Sequence, residues 1–169
     1  MNTLLHRTLA LLIVASSIFA VAACDAAPPA AAGTPPAAGH AARTAQVVHV
    51  HKDANCGCCN GWIEHMRAAG FTVVAHDSTD MAAVKQRLGI PLSQASCHTA
   101  EVGGYVLEGH VPAADVQRLL REKPAARGLV LPGMPIGSPG MESPDGLRDA
   151  FTVALLGKDG TLQLYARHP

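Results

Sequence analysis

The chain has 169 residues, with 13 Lys plus Arg balanced by 13 Asp plus Glu, and a sequence pI near 7.1. Only 15% of its residues are charged and no basic run occurs, which leaves no electrostatic footprint for a nucleic acid. The length suits one domain-sized core.

Residues 1–23 read as an export signal. His6 and Arg7 form a short n-region, and Leu9 to Ala23 is an apolar run too short to favour a permanent membrane span. The run ends in Val21-Ala22-Ala23-Cys24, which resembles the lipobox of bacterial lipoproteins and implies that Cys24 becomes the lipidated first residue. Ordinary cleavage at Ala20-Val21-Ala22 is the alternative, and Asp25 beside the cysteine points weakly to the inner membrane. Residues 24–45 are rich in Ala and Pro, with Pro28-Pro29 and Pro35-Pro36, and offer almost nothing bulky to bury. They read as a disordered tether, so the expected folded unit is 46–169 and the expected location periplasmic, with the domain held to the membrane by lipid.

Within that unit, Val47 to His51 is a short β-rich run, and Asn60 to Ala69 carries Ile63 and Met66 at helical spacing before Gly70. Phe71 to Ala75 is a second strand. Ser78, Thr79 or Asp80 can cap a helix bearing Met81, Val84 and Leu88, stopped by Gly89 and Pro91. Thr99–Val102 and Tyr105–Glu108 flank Gly103-Gly104, a pair suited to the positive φ angles of a tight hairpin. Pro112 opens a helix with Val116, Leu119 and Leu120 that ends at Lys123-Pro124. The order is β-α-β-α-β-β-α, an α/β arrangement similar to the thioredoxin-like fold. Residues 129–146 hold too many Gly and Pro residues for helix or strand and read as an added Gly/Pro/Met loop. Phe151–Leu156 and Thr161–Ala166 make a C-terminal β-hairpin across Lys158-Asp159-Gly160.

Three of the five cysteines fall within Cys56-Gly57-Cys58-Cys59. Cys56 and Cys59 have the C-x-x-C spacing of a redox pair, and a helix N-terminus stabilises the thiolate that attacks disulfides and binds metals. In a thioredoxin-like fold, Cys97 at the opening of the third strand lies against that motif. Four thiolates on two segments make a soft site suited to Cu(I), mononuclear or clustered, with Zn(II) as the competing occupant. Plain disulfide staples are the alternative, but adjacent cysteines bridge only with strain and such short loops constrain the unfolded chain little.

The stretches "CGCCNGW", "SCHTAEVGGYVLEGHVPA" and "LPGMPIGSPGME" together resemble domain-of-unknown-function family 411, which includes the CopG-type periplasmic copper-resistance proteins. The similarity runs from about Val47 to Gly160. It implies a thioredoxin-like fold, a copper site at Cys56, Cys58, Cys59 and Cys97, and a part in copper redox chemistry during copper resistance.

Other soft or titratable groups accompany the cysteines. Met134 and Met141 in the Gly/Pro loop are candidate thioether ligands, with packing as the default for each. His98, adjacent to Cys97, can ligate metal or orient the cysteine, and His110 before a helix start is more simply a hydrogen-bonded structural residue. His49 and His51 share one face of the first strand, where hydrogen-bonded core histidines are the expectation. Trp62 is expected in the core. The expected function is a copper-binding protein that couples Cu(I) to thiol redox change, with periplasmic copper-handling or electron-transfer proteins as partners. A metal-free thiol–disulfide oxidoreductase and a non-enzymatic copper buffer or metallochaperone are the alternatives, so catalysis by a copper/thiol oxidoreductase is left open.

Overall fold

The computed structural model describes residues 46–169. The expected signal at 1–23, the lipobox cysteine Cys24 and the tether at 24–45 lie outside the described residues. Among the described residues, no helix is long and apolar enough to cross a membrane.

The elements run β1 (Val47–Lys52), α1 (Gly57–Ala68), β2 (Thr72–Asp77), α2 (Met81–Leu88), a single 3-10 turn at Leu92–Gln94, β3 (Thr99–Val102), β4 (Tyr105–Glu108), α3 (Ala113–Glu122), β5 (Gly128–Val130), β6 (Phe151–Leu156) and β7 (Leu162–His168). Among the described residues, the seven strands join one sheet in the order β2-β1-β3-β4-β5-β6-β7. β1 runs parallel to β2 and antiparallel to β3, and β3 pairs antiparallel with β4. That connectivity of β1 to β4 with α1 to α3 is the β-α-β-α-β-β-α unit expected from the sequence. β5 then adds parallel to β4, and the β6–β7 hairpin extends the sheet beyond it.

Local chemistry fixes the element ends. The Asp80 side chain accepts from the Ala83 N–H, and Gly89 closes α2 in the left-handed conformation at φ 69°. The β3–β4 turn uses Gly103 and Gly104, both at positive φ. One sheet face carries Val48, Val50, Ala100, Val102 and Leu107, which pack with Trp62, Ile63 and Met66 of α1 and Val116 and Leu119 of α3. Trp62 is fully buried in this core and donates its indole N–H to the Val111 carbonyl at 2.9 Å. Its burial is the core role expected for the only tryptophan.

β2 and β7 each run two residues further than the sequence reading, to Asp77 and His168, and two other boundaries bear on the site. α1 begins at Gly57 rather than Asn60, so Cys58 and Cys59 lie in its first turn. The start is concealed because its N-cap is Cys56, which makes no side-chain capping bond, in place of a Ser, Thr, Asp or Asn. The loop begins after Val130, because Gly128, Leu129 and Val130 are buried as β5 and connect the hairpin to β4.

Candidate metal centre

Two segments meet at the cysteines. Cys56 caps α1, Cys58 and Cys59 project from its first turn, and Cys97 precedes β3. The four sulfurs all lie within 4.8 Å of one another. Cys58 Sγ is 3.5 Å from Cys56 Sγ and 3.7 Å from Cys97 Sγ. Cys56 and Cys59 are joined as a disulfide with Cα atoms 5.4 Å apart, while Cys58 and Cys97 are free thiols. Cys59 is buried and the other three are partly accessible.

The segment bearing Cys97 is held by buried polar side chains. Glu108 on β4 has no exposed surface; its Oε1 accepts from Lys85 Nζ and the Ser96 N–H, each at 2.6 Å, and its Oε2 accepts from Thr99 Oγ1 at 2.7 Å. Burial pushes the Glu108 carboxyl upward, while Lys85, Thr99 and Ser96 pull it back by favouring the anion. Ser96 Oγ donates to the Gly133 carbonyl, tying the same segment to the loop that carries Met134. Residues on both sides of Cys97 are therefore fixed by Glu108.

Two histidines stand behind Cys97. His110 Nε2 lies 3.0 Å and His98 Nδ1 3.4 Å from Cys97 Sγ. His110 Nδ1 is 2.7 Å from the Pro139 carbonyl, which can only accept, so in the neutral ring Nδ1 carries the proton and Nε2 presents a lone pair to the thiol. Burial lowers the pKa of His110, and lowers that of His98 well below its ordinary value, with His110 and Lys85 adding to the effect on His98. His98 Nε2 is buried without a hydrogen-bond partner. The Cys97 thiol is pushed up to about 12, first by burial and then by the neighbouring Cys58 thiol. As an isolated thiol it is protonated, and a cation among these sulfurs is what would favour the thiolate.

The Gly/Pro loop closes over the helix start. A Cβ on Gly61 would stand 2.8 Å from Gly140 Cα, and one on Gly140, at φ 82°, would stand 2.5 Å from the Cys58 carbonyl and the Trp62 amide. Both positions need glycine for this close approach. Met134, about half exposed, reaches the cluster with its Sδ 4.0 Å from Cys58 Sγ. Met141 lies instead in a tight turn, its amide donating to the Ser138 carbonyl and its carbonyl accepting from Gly137 N–H.

The donor set therefore brings together Cys56, Cys58, Cys59, Cys97, His98 and Met134. Cys97, His98 and His110 make a second tight group of three donors. His110, read from sequence as structural, sits against the sulfurs because Gly109 turns the chain at φ 76° just after β4. His49 and His51 are not core histidines. Strand alternation turns Val48, Val50 and Lys52 inward, leaving His49 exposed and His51 partly so on the other face.

A family model described as "Protein of unknown function, DUF411" matches residues 94–141, the span holding Cys97, His98, His110, Met134 and Met141. Two solved structures are similar over most of the chain. "Copper resistance protein copG- Form 2" is 50% identical, aligned over 74% of this chain and 99% of its own with a TM-score of 0.71. "Copper resistance protein copG- Form 1" is also 50% identical, over 73% and 97%, at a TM-score of 0.69. The chain belongs to the CopG-type copper-resistance family, DUF411. No curated protein matches it. In this CopG-type chain the family's matched span supplies the strand side of the cluster, and α1 lies ahead of it in sequence.

Proposed function

We propose that this protein binds Cu(I) through Cys56, Cys58, Cys59 and Cys97 and exchanges electrons between copper and its thiols in copper resistance. The observation that carries the reading is the meeting of four sulfurs from two segments within 4.8 Å, inside a chain similar to proteins named for copper resistance. Thiolate and thioether donors favour Cu(I), with Zn(II) as the competing cargo. Met134 at the exposed rim is a weak soft ligand for arriving or departing copper, and His98 and His110 supply nitrogen behind Cys97. Met141, held in the loop's turn, is the other candidate thioether.

Electron exchange balances with two coppers. Two Cu(II) ions take one electron each from the Cys56 and Cys59 thiols, leaving two Cu(I) ions, one disulfide and two protons. The reverse consumes two protons and restores both thiols. Disulfide formation removes two ligands and loosens the remaining copper, so binding and redox state are linked. Export, a lipid tether at Cys24 and a periplasmic position, favoured at the inner membrane by Asp25, complete the proposal. Copper-handling or electron-transfer proteins of that compartment would be its partners.

Anaerobic Cu(I) titration of the reduced chain against a competing chelator tests the site. The expected result is tight uptake that falls at least about tenfold in Cys97→Ser; undiminished uptake in that variant sinks the four-thiolate site. Labelling with a palmitate analogue, lost in Cys24→Ala, tests the tether. The Cys56–Cys59 disulfide also favours a second reading, metal-free thiol–disulfide exchange with Cys56 as attacking thiol. Insulin reduction by metal-free protein, abolished in Cys56→Ser, would support that reading over copper chemistry.

A further inference from the structure

The sheet face opposite Val48 and Val50 carries a row of imidazoles that the thiol cluster does not use. β1 and β2 run parallel with His51 directly beside His76, and His49 is one step diagonal on the same face. The His76 ring stacks on both neighbours, with centroids 5.3 Å from His49 and 5.1 Å from His51. His49 Nδ1 lies 3.1 Å from His76 Nε2, and His51 Nε2 lies 3.2 Å from Glu101 Oε1 on β3. His49 and His76 are exposed, and β2 is an edge strand, so solvent ions reach the row freely.

We propose that His49 and His76, with His51 and Glu101 adjoining, form a second metal site for a divalent first-row ion, best fitted to Cu(II). Two imidazole nitrogens on one such ion, each bound at about 2.0–2.1 Å, stand roughly 3 Å apart at right-angled to tetrahedral geometry. The His49–His76 separation already has that value. As a hydrogen bond alone, an exposed imidazole pair competes with water and gives little reason to align three rings on one face. Imidazole, carboxylate and water are donors for divalent copper or zinc rather than Cu(I), and Cu(II) heads the order of divalent affinity. Arg87 Nη1, 3.9 Å from the same Glu101 oxygen, competes for that carboxylate, which makes Glu101 the weaker contributor. The inference is independent of the thiolate site proposed above.

The test is Cu(II) titration of the full chain after its thiols are capped with N-ethylmaleimide, which removes the thiolate donors but leaves His98 and His110, so the site is assigned by the loss of binding in the His49 and His76 variants. Pulsed electron paramagnetic resonance counts the bound imidazoles. The expected result is one bound Cu(II) with two imidazoles, and an affinity reduced at least about tenfold in His49→Ala and in His76→Ala. Glu101→Gln should cost less than either. His168→Ala, at the opposite edge of the sheet and paired with Asp115, should leave binding unchanged. Equal affinity across wild type, His49→Ala and His76→Ala, or a spectrum with a single imidazole, overturns the site. His76→Gln repeats the measurement with a side chain of similar bulk and polarity, and must also lose binding.

Discussion

The two segments that carry the sulfurs are held in different ways. Cys56, Cys58 and Cys59 take their positions from a helix start, where backbone geometry sets the spacing and Gly140 packs against Gly61 over the same turn. Cys97 lies outside any regular element and is placed by side chains: Glu108 grips the residues on both sides of it, Lys85 neutralises Glu108, and His110 meets its sulfur. One half of the cluster thus depends on packing and backbone, the other on a buried polar network. Perturbing each separately should show whether the sulfurs hold together through both supports.

The largest effect is expected at Lys85. Its ammonium and the Glu108 carboxylate are both nearly or wholly buried, so Lys85→Met leaves an unpaired buried charge and should cost about 3–5 kcal/mol. Denaturant unfolding of the metal-free chain checks this. The exposed Arg67–Glu64 pair is the contrast, with an expected loss under about 1 kcal/mol on Arg67→Ala. A Lys85→Met loss as small as that would mean the Cys97 segment does not lean on this network.

Gly61→Ala perturbs the helix side. Helix propensity alone would stabilise by about 1 kcal/mol, but the added methyl meets Gly140 Cα, so a net loss of about 1–3 kcal/mol is expected. The loop should lift with it, and copper retention should weaken because Met134 and Pro139 ride on that loop. A stabilised Gly61→Ala protein with unchanged copper retention would show that the loop does not brace the cluster.

Acid should act on the histidine side of the network. Burial lowers the pKa of His98 most strongly and also lowers His65 and His110. Below about pH 6.5 the unfolded chain therefore binds more protons than the folded one, so these groups contribute stability that is full above that pH and lost as pH falls. Glu108, pushed up by burial, opposes them in its own range, since its contribution is lost as pH rises. The shift at His98 is the large one and that at Glu108 is partly offset by Lys85, Thr99 and Ser96, so the melting temperature of metal-free protein should drop between about pH 7 and pH 5.5. A flat or rising profile would contradict neutral buried imidazoles.

The smallest effect belongs to Met134→Leu. The side chain is about half exposed, so thermal stability of the metal-free form should stay within about 0.5 kcal/mol while copper leaves the protein faster. Unchanged release would return Met134 to a packing role.

The order of elements was legible because Val48/Val50, Ile63/Met66 and Val116/Leu119 repeat at strand or helix spacing and Gly89, Gly103 and Gly104 mark their ends. The four cysteines were legible as a group because C-x-x-C at a helix mouth and a cysteine opening the third strand of this topology converge. Their supports were not. Lys85, Glu108 and Thr99 lie on three different elements and meet through the sheet register that sets Thr99 beside Glu108, which no local pattern displays. His110 reads as structural in the sequence because only the turn at Gly109 brings it back to Cys97. The His49–His76 pair needed the parallel register of β1 with β2, and His76 carries no signal of its own within a strand.

The central claim is that both segments deliver sulfur to the same copper. X-ray absorption at the copper edge, on the full chain reduced and loaded with Cu(I) without air, measures this directly. The account predicts a first shell dominated by sulfur in wild type and a lower sulfur count, filled by nitrogen or oxygen, in Cys97→Ser. A wild-type shell of nitrogen and oxygen, or a sulfur shell unchanged by Cys97→Ser, would contradict it.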